Sequence, residues 1–409
     1  MSAMLASESG TVHRRGGVVR LSWNVWFYCI YTSVKFWRSS PPPTAAASLV
    51  NRNGRMQPLW LWFLSMPHDE FLAVNAFLGT EMDARAIDSA IELGVVDTLS
   101  AAGATSLSAL SDGRRVNPTG LRLLIDLLEL NGVVARSGDL IDLTPRFRAV
   151  LRFRDLLECR IAFSDLVWPD IHTLFTPLLS DLPKFMARSK VFDLFRYDRC
   201  IDVTSENLDA TAAWTRFTTC LTKYEAPVLL DAVDTSAVRN FIDIGGNTGE
   251  FALQLCRRNP SAEAIVVDLP VVCALGKKHV AAAADRSAAS RVSFFPCDMR
   301  HDALPPAADL VAFKSVLHDW PDADAELLLE RAGVVVRPGG RLLIFERGPI
   351  EVHGKRIPYS MAPDLVFLHF LRPADLYLRK LKQLGFEPIE HRQIELDVTF
   401  HLTVARRPG

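Results

Sequence analysis

No apolar run in this sequence reaches the roughly 18–20 residues that a membrane-spanning helix needs, so no membrane partner is expected. A charge surplus is missing too. Lys and Arg number 46 against 47 Asp and Glu, and a net charge of −1 offers no overall field for nucleic acid or anionic lipid. The seven cysteines (Cys29, Cys159, Cys200, Cys220, Cys256, Cys273 and Cys297) are odd in number and contain no CxxC pair. This argues against a zinc site and a disulfide scaffold, and suits a reducing cytoplasm, the expected location. The histidines show no metal-ligand spacing, and no metal is expected. Nor is there an internal repeat.

What is present is a 409-residue chain, 49% hydrophobic, long enough for more than one packed domain. Residues 1–68 combine Arg14, Arg15 and Arg20 with the aromatic-rich "LSWNVWFYCIYTSVKFW" and "PPPTAAA". The order mimics a signal peptide, but the apolar part starts late, is crowded with rings and is broken by polar residues. It reads as a poorly ordered extension that need not belong to the native protein, with Met56 or Met66 as alternative starts. Residues 69–160 carry helical spacing, a helix–turn–helix pattern and a hairpin turning at Ser137-Gly138-Asp139, the outline of a winged helix. Its would-be recognition helix, Pro118 to Leu130, has one Arg and two acids among leucines. Reading a groove needs basic and amide side chains, so this helix is expected to be buried in the core or in a homodimer interface. Residues 161–225 read as a helical linker and pocket region, without a catalytic cluster.

From residue 226 to 409 the rhythm changes to apolar strands alternating with helices: "NFIDIG", "EAIVVDL", "VSFFPCD", "DLVAFKSVL" and "RLLIFERG". That pattern predicts an α/β fold, a Rossmann-like doubly wound sheet covered on both faces. The turn "DIGGNTG" holds Gly245, Gly246 and Gly249, out of register for the first, third and sixth positions of a dinucleotide cradle. Asp243, just ahead of it, repels phosphate but suits an ammonium group. Asp268 ends the next strand, where a carboxylate accepts ribose hydroxyls. Asp298 and Met299 close a third strand with an acid and a soft apolar group suited to adenine. Lys314, His318 and Asp319 follow the fourth, at the edge where open α/β sheets bind ligands. This combination fits S-adenosylmethionine better than a nicotinamide cofactor.

The ordered set "DIGGNTG", "VVDLP", "CDM", "FKSVLHDWPD" and "VVRPGGRLLIFE" resembles the class I S-adenosylmethionine-dependent O-methyltransferases of the caffeate and hydroxyindole type, over about residues 75–405. The resemblance implies a homodimer built on the winged-helix-like domain. It implies that Gly245, Gly246 and Gly249 line the methionine part of the cofactor, with Asp268 and Leu269 at the ribose. Asp298 and Met299 would take the adenine, and Lys314 the cofactor's far side. His318 would be the general base, with Asp319 beside it and Glu346 as one of two orienting acids. The chain departs from the pattern at Leu371, where the second glutamate is expected. The function these readings imply is methyl transfer to a phenolic or enolic hydroxyl of a small secondary metabolite. The rival is a fold-sharing protein that binds the cofactor but methylates carbon or catalyses a non-methylating reaction.

Overall fold

A computed structural model describes residues 48–50, 56–58, 69–112, 116–352 and 357–409. The chain separates into two compact units, Met1–Met66 and Pro67–Gly409. In the first, β1 (Ser48–Val50) pairs antiparallel with β2 (Met56–Pro58). The rest of the N-terminal extension lies outside the described residues.

The second unit begins with short helices whose starts are chemically marked. Thr80 and Asp83 form a reciprocal capping box on Glu81–Glu92, each side chain bound to the other residue's backbone N–H. After β3 (Thr105–Ser106), the helix Pro118–Leu130 is capped by Asn117, whose side chain accepts from the Thr119 N–H at 2.8 Å, with proline in its first turn. β4 (Val134–Ser137) and β5 (Leu140–Leu143) form the hairpin, and the small sheet runs β3-β5-β4. The 118–130 helix is covered on one side only within one chain. Leu121, Leu124, Ile125 and Leu128 are buried, whereas Leu123 is 59% and Leu130 86% exposed. The buried four follow the helical period and make one stripe; 123 and 130, seven residues apart, share another face.

Two long helices, Arg154–Ser180 and Ser205–Ala232, lead into a seven-stranded sheet. Its strands are β6 (Asn240–Ile244), β7 (Glu263–Asp268), β8 (Val292–Pro296), β9 (Ala308–Lys314), β10 (Val336–Arg347), β11 (Ile389–Glu395) and β12 (Thr399–Arg406), in the order β11-β12-β10-β9-β6-β7-β8. The ladders from β10 to β8 are parallel, and β12 is antiparallel to both its neighbours. Strand alternation sends Ile242, Ile244, Val311, Phe313 and Ile344 to one face, packed under the helices Asp322–Val335 and Asp375–Gln383. Phe241, Ala264, Leu310, Ala312 and Phe345 face the other way, under Ser205–Ala232 and Glu250–Arg258. Sheet order reverses between β6 and β9, and the loops leaving the carboxyl ends of β6 to β10 converge there.

The ladder between β9 and β10 shifts register between Val336 and Arg341, where Gly340 approaches backbone closely. A Cβ on Gly340 would lie 2.9 Å from the Arg337 carbonyl oxygen and 3.0 Å from that of Asp309. Neither oxygen belongs to a side chain that can turn aside. Gly340→Ala is therefore expected to cost about 1–3 kcal/mol through overpacking, read as a lower urea midpoint with unchanged slope. An unchanged midpoint would show that this strand start yields without strain.

Candidate active site

The turn after β6 requires left-handed backbone at three places. Gly245 has φ +68°, Asn247 φ +54° and Gly249 φ +80°, and asparagine is among the few side chains that tolerate this region. Gly245 and Gly246 line a cavity of about 660 Å³. Gly249 is not among the residues lining it; it starts the helix Glu250–Arg258 and packs toward Phe294 and Val266. A Cβ on Gly246 would stand 2.5 Å from Asp243 Oδ2. Asp243 is 1% exposed and its Oδ2 has no hydrogen-bond partner. Burial pushes its carboxyl up to about 8.

Asp268 sits at the end of β7 with each carboxylate oxygen already accepting one backbone N–H, Oδ2 from Asn247 at 2.8 Å and Oδ1 from Leu269 at 2.7 Å. Both oxygens keep a lone pair for a ligand. Burial raises this carboxyl to about 6. Leu269, Asp298 and Met299 line the same cavity. Asp298 is held by Arg300 at 2.9 Å, and the Arg300 guanidinium lies 4.3 Å from the centre of the Trp320 ring. Lys314 is 9% exposed, its Nζ 2.5 Å from Glu225 Oε2 and 3.2 Å from Thr222 Oγ1.

His318 lies in a single turn after β9, beyond Ser315, which is held at φ +54°. Its Nδ1 is 2.6 Å from Glu346 Oε2, and its Nε2 is 3.4 Å from Asp319 Oδ1. Glu346 has no exposed surface; its Oε1 accepts the N–H groups of Val316 and Leu317, both at 2.8 Å. The Tyr197 hydroxyl donates to Asp319 Oδ2 at 2.8 Å. Burial works to lower the His318 pKa, but Asp319 and Glu346 outweigh it and hold the imidazole above its ordinary value. Burial likewise works to raise Glu346, and His318 with the two N–H groups keeps it below the carboxylate range. Leu371 also lines the cavity, 7% exposed, and adds no charge. The second carboxylate beside the imidazole is instead Asp319, on the Nε2 side.

The sequence candidates Asp243, Gly245, Gly246, Asp268, Leu269, Asp298, Met299, Lys314, His318 and Asp319 thus line one cavity. Glu346 stands behind His318 rather than at the cavity wall, and Gly249 stands outside. Sequence reasoning missed Arg160, Tyr197, Glu225, Arg347, Asp364 and Asp397, all of which line it. A signal existed for two of them. Arg160 falls on the buried stripe of Leu156, Leu157, Ile161 and Ser164, and Glu225 beside buried Ala226 and Leu229. A charge on the apolar side of a helix has to find a partner.

Residues 202–368 match the O-methyltransferase domain family. The chain is 36% identical over 118 residues to 3-hydroxy-5-methyl-1-naphthoate 3-O-methyltransferase of Streptomyces sahachiroi, covering 29% of this chain and 33% of that protein. It is 35% identical over 150 residues to aclacinomycin 10-hydroxylase RdmB of Streptomyces purpurascens, covering 36% and 38%. The alignments therefore span little more than a third of either relative. In three dimensions it is similar to CalO1, a methyltransferase in calicheamicin biosynthesis solved in its SAH-bound form, with TM-score 0.60, 21% identity, and 86% and 98% of the two chains covered. That likeness establishes the fold.

The unpartnered Asp243 has a pH signature. Its folded carboxyl titrates at about 8, against roughly 3.9 in an unfolded chain. Between those values the folded state holds the extra proton, so ligand-free stability falls as pH rises. Asp243→Asn is expected to melt above wild type at pH 9, the gap closing toward pH 4. Parallel melting curves across that range would refute an uncompensated acid there.

Proposed function

We propose that this chain, whose residues 202–368 match the O-methyltransferase domain family, is an S-adenosylmethionine-dependent O-methyltransferase acting on a phenolic or enolic hydroxyl of a small secondary metabolite. The observation that carries the reading is His318, paired with Glu346 at 2.6 Å, on the same cavity as the unpartnered Asp243 carboxylate.

The residues present fit the cofactor. An ammonium group would satisfy the orphaned Asp243 Oδ2, with Gly246 leaving the approach free of a side chain. Asp268 would take the ribose hydroxyls beside Leu269, Asp298 and Met299 the adenine, and Lys314 would border the far side. When bound, S-adenosylmethionine supplies a methyl group already activated by its sulfonium. The protein then has two tasks, to align the acceptor oxygen and to remove its proton. His318 donates its Nδ1 proton to Glu346, leaving the Nε2 lone pair toward the acceptor. As Nε2 takes the proton, Asp319 and Glu346 stabilise the imidazolium from both sides, a role that does not require an acid at Leu371.

A second reading is favoured by Leu371 and by the likeness to a protein described as a hydroxylase: cofactor binding with C-methylation or a non-methylating reaction. Incubation with S-adenosylmethionine and a phenol panel separates the two. A mass gain of one methyl on oxygen supports our reading; methyl on carbon or a gain of oxygen sinks it.

His318→Ala should cut turnover by about 10²-fold or more while S-adenosylhomocysteine affinity by calorimetry stays near wild type. Because the folded imidazole titrates above its free value, kcat/KM should rise with pH through a limb above about 6.5. Persistence of that limb in His318→Ala would assign the proton to another group.

The homodimer belongs to the same proposal. Leu123 and Leu130, exposed on one helical face, would be covered by a second copy. Sedimentation should give a dimer at micromolar concentration and a monomer for the double variant Leu123→Glu, Leu130→Glu. A monomeric wild type would remove the interface.

A further inference from the structure

Six charged side chains line one part of the cavity: Arg160, Lys314 and Arg347 against Glu225, Asp364 and Asp397. Their formal charges cancel, but their partners are unequally shared. Arg160 holds Asp397 at 2.9 Å. Lys314 holds one oxygen of Glu225 at 2.5 Å, and Arg347 binds the other. Among the described residues, the ion pair left to Asp364 is Arg347 Nε at 3.9 Å, beyond hydrogen-bond reach.

Asp364 is nonetheless largely withdrawn from solvent, with 14% of its side chain exposed. Desolvation and the neighbouring carboxylates of Asp397 and Glu225 push its carboxyl up to about 7, against the pull of Arg347 and Arg160. It sits on the one-turn helix Ala362–Leu365, just ahead of Phe367, Phe370 and Leu371, which also line the cavity. Phe192 packs on Phe370 and Phe195 on Phe367, ring centres 5.4 Å and 6.0 Å apart, so the four rings make one aromatic wall. An aromatic wall and a carboxyl with no hydrogen bond from the protein, on one cavity, describe a site for a planar ring that carries a hydrogen-bond donor.

We propose that Asp364 is the specificity-determining residue of the acceptor site, taking an O–H or N–H donor of a planar aromatic acceptor other than the hydroxyl that faces His318. This rests on the methyl-transfer reading for what the acceptor is, but not for the contact itself. An anionic substituent would meet Asp364 beside cations that Asp397 and Glu225 already engage. A neutral or cationic donor supplies the hydrogen bond that the protein withholds. The acceptor class is then an arene with two polar substituents, one methylated and one held. A buried carboxylate left unpaired is costly, so an arene lacking the second donor is disfavoured by more than the loss of one contact.

The test is equilibrium binding of 2-naphthol and of the dihydroxynaphthalene isomers, with S-adenosylhomocysteine present, followed through quenching of the cavity residues Trp214 and Trp320. Wild type should bind at least one diol about 10-fold or more tightly than 2-naphthol. Asp364→Leu should bind both equally, with S-adenosylhomocysteine affinity unchanged. Should the leucine variant fail to fold, Asp364→Asn, which keeps one acceptor oxygen, should narrow the preference several-fold. No diol preference in wild type, or the full preference in either variant, overturns the proposal. Methyl transfer to the same compounds is scored separately. Its absence alongside a diol preference lost in Asp364→Leu would fail the enzymatic reading and leave the contact standing.

Discussion

The carboxylate of Glu346 lies at the end of β10 with no solvent exposure, and the arrangement of the cavity wall depends on how it is satisfied. A lone buried charge costs several kcal/mol after relaxation, so this one has to gather donors. It gathers the Val316 and Leu317 N–H groups and His318 Nδ1. Aiming two consecutive N–H groups at one oxygen dictates how the chain leaves β9. Ser315 takes positive φ, the next residues turn back toward β10, and the imidazole arrives with one nitrogen bound and the other turned to Asp319. Parallel pairing of β9 with β10, Lys314 opposite Phe345, brings the acid and the loop together.

The remaining charges at the sheet's edge divide by whether the protein completes them. Glu225 is completed by Lys314 and Arg347, and Asp397 by Arg160 and the Val398 N–H. These pairs tie the helices Arg154–Ser180 and Ser205–Ala232 to the strand ends and to the β11–β12 turn. Asp243 and Asp364 are left incomplete, at the two kinds of place a ligand would need them: behind the glycine turn and on the cavity wall that carries the phenyl rings. Both titrate high, at about 8 and about 7. Completed acids hold the frame; incomplete ones offer handles.

The parallel strands were legible because each is a short apolar run bounded by turn residues. The glycine turn was legible because few residues accept left-handed backbone. His318 could be singled out by its place at a strand's carboxyl edge, and Glu346 only through the ordered set of motifs around it. The placement of Gly249 was not legible, since its spacing is that of a ligand loop while its actual neighbours are Phe294 and Val266. Asp319 as the second acid at the imidazole was hidden for a related reason. Adjacency in sequence says nothing of which ring nitrogen a neighbour reaches.

By itself the sequence determined what is local or periodic: which segments are strands and helices, which faces are apolar, where the backbone must turn, and that acids close successive strands. Tertiary structure alone decided which charges meet. Arg160 and Asp397 are 237 residues apart, and Arg347 and Glu225 are separated by 122. No pattern of short period records such distances. Whether a buried carboxylate is neutralised by the protein or left for a ligand depends on gaps of an ångström, such as the 3.9 Å between Arg347 and Asp364, and those are set by packing of the whole sheet and its helices.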